Sequence, residues 1–508
     1  MTHRATAPLT APLTAPRTAP RTGPLTLPFT AALVTAALVT AALFATALPA
    51  VAQTQAPAAP RVPLHPDVTA LLAEISPLRI EKTIRTLVGF GTRHTLSETE
   101  SETRGIGAAR RWIHRELQAC SKAAGGRLQV AFDEHTVQPT ARIPKAAQVV
   151  NVVATLPGTD PLAKERHFIV SGHYDSRASD VMDATSDAPG ANDDASGTAA
   201  VMEMACLMAR RSYPATLVFM TVAGEEQGLL GADGYAANAR RSGQRIDAMI
   251  TNDIIGSPVG DAGQKDARQV RLFADGLSPL LTMAMAPPTS NTDTAQQTAV
   301  REQLQNQVRT GGMSDFGANQ LGRHLKEVGE RYLPGFNITL IQRPDRFLRG
   351  GDHLPFLNRG FAAVRFTEPF ENFMRQHQNV RVEGGVQVGD LFEFVDPAYI
   401  ADVTRINAAG LALLAMAPAT PTGLLIETLA LGNETTLRWD APTDPRVAGY
   451  RVLWRESASP VWQGHRDVGK LARVTLPDLS KDNLIFGVQA LDAAGNASLA
   501  GYPLPLRR

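Results

Sequence analysis

An α/β domain on a mostly parallel central sheet, followed by a small all-β sandwich, is the fold class this sequence predicts. Two observations carry it. Short apolar runs alternate with helical stretches through the middle of the 508-residue chain, and after Pro418 that alternation gives way to strand-like runs separated by turn residues. Strands buried on both faces read as continuous apolar runs, as the central ones do here. The length also exceeds what one ordinary core supports, so at least two domains are expected.

The first acidic residue is Asp67. Ahead of it a Thr-Ala-Pro repeat carries Arg4, Arg17 and Arg21, an apolar run covers residues 29–48, and Pro49-Ala50-Val51-Ala52-Gln53 ends it. A basic n-region, an apolar h-region and an Ala-x-Ala site describe a secretory signal peptide over residues 1–52, cleaved after Ala52. Left uncleaved, the same run would be a membrane anchor. No other segment is apolar and long enough to span a bilayer, so the mature chain is expected to be periplasmic or extracellular with no stable membrane span. An Ala/Pro-rich linker follows over residues 53–63.

From Asp67 the pattern is helical: Val68, Leu71, Leu72 and Ile75, then Ile80, Ile84 and Leu87, keep helix spacing. Residues 106–120 read as an amphipathic helix, and 128–137 and 149–156 alternate like strands. Apolar runs at 167–172, 215–222 and 246–250 then flank helical stretches at 198–211 and 228–241. Each run ends in polar residues, and open α/β sheets gather ligands at the carboxyl ends of their strands. Residues 261–342 are less regular and are expected to be helices and loops decorating the sheet. The first domain thus spans 64–417. A linker at 418–423 leads to strand-like runs at 435–439, 449–455 and 484–491. Trp439, Gly449-Tyr450-Arg451-Val452 and the run from Ala490 to Asn496 make residues 424–508 look like a fibronectin type III domain.

Lys and Arg number 50 against 49 Asp and Glu, so no global field draws the chain to nucleic acid. The two cysteines, Cys120 and Cys206, are too few for a disulfide framework; they are a single bridge or two buried thiols.

Five polar clusters carry the chemistry: Gly172-His173-Tyr174-Asp175-Ser176, the run from Gly190 to Gly197 containing Asp193-Asp194, Gly224-Glu225-Glu226-Gln227-Gly228, Asn252-Asp253, and Gly351-Asp352-His353. Singly, each is commoner as a turn or a solvated face. Together, beside predicted strand ends, they form an imidazole and carboxylate set without thiolate, which suits zinc at a catalytic site. Five protein ligands for two metals require one carboxylate to bridge.

On these motifs residues 66–417 resemble the secreted di-zinc aminopeptidases of the zinc exopeptidase superfamily, bacterial leucyl-aminopeptidase-like enzymes with a three-layer fold. The resemblance implies two Zn2+ bridged by Asp193, with His173 and Asp253 completing one site and Glu226 and His353 the other. It implies that Glu225 is the general base, that Asp175 orients the His173 ring, and that the Asp193–Asp194 peptide is cis. The implied substrates are peptides with a free N-terminus. Residues 257–342 carry no alignable motif, which leaves side-chain preference unread; Arg346 and Arg349 hold either substrate or local structure. Carboxypeptidase-like relatives carry a separate lid domain, for which the hundred or so residues between Asp253 and His353 leave little room. Glutaminyl cyclases share the fold with one zinc. A non-catalytic binding protein on the same scaffold would be expected to show broken ligands, and none is broken here.

Overall fold

The computed structural model describes residues 63–285, 291–429 and 431–506, so the expected signal peptide and nearly all of the first linker lie outside the described residues. Helices α1 (Pro66–Glu74) and α2 (Pro77–Gly89) each open with proline, whose fixed φ and missing N–H suit a first helical turn. Then come α3 (Gly105–Ala123), β1 (Gln129–Val137), β2 (Ala147–Leu156), β3 (His167–His173), α4 (Ala195–Met208), β4 (Thr216–Val222), α5 (Leu230–Ser242) and β5 (Ile246–Asn252). Beyond them lie β6 (Gln269–Phe273), α6 (Leu277–Met285), α7 (Asn291–Arg309), α8 (Gly317–Tyr332), β7 (Asn337–Ile341), the one-turn α9 (Leu354–Leu357) and β8 (Ala363–Thr367). A hairpin of β9 (Arg381–Glu383) and β10 (Val386–Val388) precedes α10 (Pro397–Met416).

The main sheet runs β1-β2-β4-β3-β5-β8-β6-β7. Its centre, β4-β3-β5-β8, is parallel. Its flanks are not: β1 pairs antiparallel with β2, β2 with β4, and β6 with β8. The expected mostly parallel sheet is therefore a mixed sheet with a parallel core. Residues 138–146, which join β1 to β2, are too few for the crossover that parallel pairing needs. The expectation of mere decoration for residues 261–342 is also corrected, because β6 and β7 extend one edge of the sheet.

Strand β4 is buried along its whole length, which requires cover on both faces. Helix α4 packs on β3, β4 and β5, with α2 and α10 against it and α8 against α10. A second group, α5 with α9, packs on β1, β2 and β8. Among the described helices only α10 is long and apolar enough to cross a membrane, and most of it is buried in this core. Cys120 and Cys206 are joined, tying the end of α3 to α4.

The remaining strands are β11 (Leu425–Ile426), β12 (Thr435–Arg438), β13 (Gly449–Arg455), β14 (Gly464–Gly469), β15 (Arg473–Leu476), β16 (Ile485–Leu491) and β17 (Leu504–Pro505). They form two sheets, β15-β12-β11-β17 and β14-β13-β16. Leu437, Trp439, Tyr450, Val452, Phe486 and Val488 fill the space between them. Asp315, just before α8, fastens this β portion by pairing with Arg323 at 3.1 Å and Arg455 at 2.6 Å, all buried. Both guanidiniums lie over the Trp462 ring.

Candidate metal centre

Because β4, β3, β5 and β8 run parallel, their carboxyl ends share one edge of the sheet. His173 ends β3, Glu225 and Glu226 follow β4 by three and four residues, and Asp253 follows β5 directly. Asp193 arrives from the loop before α4. Its neighbour Asp194 knots these pieces together: Oδ1 caps α4 at the Gly197 N–H and accepts the Ile254 N–H, while Oδ2 accepts the His173 N–H at 2.9 Å. The knot needs close backbone approach. A Cβ on Gly172 would sit 2.4 Å from the Gly197 carbonyl carbon, and one on Gly197 would meet the Asn252 oxygen at 2.1 Å. The Asp193–Asp194 peptide is cis.

Two groups of ligand atoms result, and they share Asp193. In one, His173 Nε2 lies 3.1 Å from Asp193 Oδ1 and 4.0 Å from Asp253 Oδ1. In the other, His377 Nε2 lies 3.0 Å from Asp193 Oδ2 and 3.1 Å from Glu226 Oε2. Donor atoms around a tetrahedral ion at about 2.0–2.1 Å stand roughly 3.3 Å apart, so both groups have the spacing of a metal site.

The donors fit zinc on further grounds. His173 Nδ1 donates to the Asp175 carbonyl at 3.1 Å, with Asp175 Oδ1 at 3.4 Å, which turns Nε2 toward the cluster, where its lone pair would face a metal in place of a proton. His173 Nε2 and Glu226 Oε1 are buried without a hydrogen-bond partner. Burial disfavours ionising Asp193, but the His173 and His377 rings outweigh it and hold the carboxyl well below its usual range. Burial likewise opposes charge on His377, yet Glu226 and Asp193 raise that ring to about 10. A carboxylate cluster that pulls protons onto its imidazoles is one that accepts a cation in their place.

Four of the five expected ligands therefore meet: His173, Asp193, Glu226 and Asp253. The fifth, His353, does not, and this is a correction. His353 precedes α9, donates from Nε2 to the Pro344 carbonyl at 2.7 Å and lies 3.8 Å from Asp345. It reaches the centre only indirectly, through Arg365, which pairs with Asp345 at 2.9 Å and with Asp253 at 2.8 Å. His377 takes its place because β8, wedged between β5 and β6, delivers the following loop over the shared edge.

Glu225 lines the same cleft as the ligands without belonging to either group, and burial pushes its carboxyl well above the ordinary range. Asp175 accepts the N–H groups of Glu225 and Glu226 through its two oxygens, so it positions that pair as well as the His173 ring. Arg346 and Arg349 line the cleft too, but both pair with Glu371, at 3.0 and 2.6 Å.

The cleft is a cavity of about 450 Å³. Leu229, Ile254, Leu348 and His377 are the non-glycine residues with positive φ among those described, and every one lines it. That conformation is costly for Leu and more so for β-branched Ile, and such strain concentrates at functional sites. Leu229, Ile254, Leu348 and Leu354 also give the cleft an apolar wall.

Residues 151–380 match the family model described as Peptidase family M28. A probable zinc metalloprotease of Leptosphaeria maculans is 46% identical over 440 residues, covering 86% of this chain and 97% of that protein. Another from Pyricularia oryzae is 43% identical over 445 residues, covering 86% and 84%. Among solved structures, the LapA aminopeptidase of Legionella pneumophila aligns with a TM-score of 0.46 at 16% identity, covering 69% of this chain and 75% of that one.

Proposed function

The chain belongs to peptidase family M28, and from that premise we propose that it is an exported aminopeptidase working with two zinc ions. The observation that carries this reading is Asp193 presenting one oxygen to each of two ligand groups. His173 and Asp253 would complete one site, and Glu226 and His377 the other. Zinc held there supplies Lewis acidity, lowering the pKa of a water and polarising the scissile carbonyl.

The chain's own residues do the rest. Glu225 takes a proton from the attacking water and hands it to the leaving amine nitrogen, a role for a carboxylate that is in the cleft but free of the ligand groups. Asp175 keeps the His173 ring and the Glu225 main chain in register. Arg365 holds Asp253 from behind. The described residues between Asp253 and His377 spend β6, β7 and β8 on the main sheet and otherwise form helices and loops, which favours the aminopeptidase branch over relatives with a separate lid domain. The bridge between Cys120 and Cys206 favours an oxidising compartment, and the β portion resembles a fibronectin type III module.

The test is a panel of unblocked and N-acetylated peptides on the zinc-loaded protein, with and without a chelator. Cleavage of the free peptides alone, lost on chelation and restored by zinc, is the expected result. Equal cleavage of blocked and free peptides would remove the aminopeptidase reading.

A further inference from the structure

Four arginines line the cleft: Arg142, Arg177, Arg346 and Arg349. Arg346 and Arg349 both pair with Glu371, which Arg271 shares, and Arg346 pairs with Asp345 as well. Arg142 and Arg177 are different, because among the described residues neither has a carboxylate within ion-pair distance. Arg142 is anchored by donating from Nη1 to the Glu226 main-chain oxygen at 3.0 Å. Arg177 donates from Nε to the Ala178 carbonyl and from Nη2 to the Ser179 carbonyl. Each keeps further N–H donors free, since a guanidinium offers five.

The charge balance gives these two side chains a purpose. The acids in the lining are Asp193, Glu225, Glu226 and Asp253. Two divalent cations would cancel them, leaving a loaded cleft of net positive charge in which Arg142 and Arg177 have no carboxylate partner among the described residues. Such a cleft repels a peptide offering only an ammonium group and attracts one that also brings an anion.

Resting on the aminopeptidase reading, we propose that Arg142 and Arg177 bind a carboxylate of the substrate on the leaving-group side of the scissile bond. Arg142 grips the main chain of Glu226 itself, so the carboxylate it meets lies close to that bond. At roughly 3.5 Å per extended residue, the terminal carboxylate of a di- or tripeptide falls within one or two residues of the cut. The acidic side chain of the second residue offers the same chemistry at a similar distance. The preferred substrates are therefore short peptides with a free C-terminus, or peptides with Asp or Glu just after the cut.

The experiment compares three substrates on the zinc-loaded, full-length protein: a dipeptide with a free carboxylate, the same dipeptide amidated, and an amidated dipeptide with Asp in second place. The free acid should exceed its amide in kcat/KM by roughly ten- to a hundredfold, as charge-assisted hydrogen bonds would give, with the gain in KM. Arg142→Gln and Arg177→Gln should each shrink that ratio, and the corresponding Lys variants should restore part of it because they keep the charge but not the fork. Zinc content is measured in every variant, so a lost metal is not read as a lost contact. If only the Asp-containing amide outruns the plain amide, the carboxylate recognised is the side chain's. Equal kcat/KM across all three substrates overturns the proposal while leaving the peptidase reading intact. No cleavage of any of them by protein holding two zincs overturns both.

Discussion

Asp390 holds Asp193 from outside the ligand set: its Oδ2 accepts the Asp193 N–H at 2.7 Å, and its Oδ1 accepts the Asn192 N–H at 2.8 Å. The shared ligand is thus aimed by a carboxylate almost two hundred residues away, in the loop before α10. Asp390→Ala would leave two buried N–H groups without acceptors, at about 1–3 kcal/mol each. Denaturant unfolding should show a loss on that scale, and zinc analysis should show weakened retention. A variant with unchanged stability and two tightly held zincs would deny Asp390 this role.

His377 and His353 make opposite predictions. His377→Ala should cut zinc content from two to one per chain and reduce turnover by a hundredfold or more, in line with general losses on removing a metal's support. His353→Asn should keep both metals and register mainly as lost stability, because its ring bonds to Pro344 inside the protein. Metal analysis of the two variants separates the assignments directly.

Glu225→Gln keeps the shape of the side chain and removes its basicity. Metal content should be unchanged and kcat should fall on the order of 10²–10⁴-fold. Near-normal turnover in that variant would point to a different base.

Cys120 and Cys206 are 86 residues apart in sequence, so their bond restricts a long loop in the unfolded chain. Replacing both with alanine should lower stability by about 2–4 kcal/mol, read from the urea midpoint under non-reducing conditions. Identical midpoints with and without the bridge would contradict this.

His324, on α8 beside the Gly410 main chain of α10, is held neutral by burial, with its pKa lowered to about 4. An unfolded histidine titrates near 6.5. Between those values the unfolded chain binds a proton that the folded one refuses, so this contribution is complete above pH 6.5 and is lost as the pH falls toward 4. The loss reaches at most about 3 kcal/mol. His324→Gln should flatten the stability profile between pH 6.5 and 4; an unchanged slope would clear His324.

The legible ligands share a local signal. His173, Glu226 and Asp253 each stand at or just past the end of an apolar run, and a buried strand's end is visible in a window of a few residues. Asp193 stood out through its Gly-flanked acidic pair. His377 had no such signal: nine residues of irregular chain separate it from β8, itself a five-residue strand that the apolar pattern did not single out. His353 was the tempting alternative because a Gly-Asp-His triplet looks like a ligand wherever it falls. Strands β6 and β7 were hidden for a related reason, each being five residues long at one edge of the sheet among helices.

By itself the sequence determined the alternating α/β centre, the β-rich C-terminal portion, the imidazole and carboxylate chemistry, and four of the residues that converge on it. These depend on hydrophobic period and residue type, which are local. Only the tertiary structure decided which histidine closes the second group, whether the cysteines join, that the sheet's flanks turn antiparallel, and that two arginines line the cleft without a carboxylate partner among the described residues. Those outcomes depend on which strands become neighbours, and strand order is set by packing between segments that are distant in the chain.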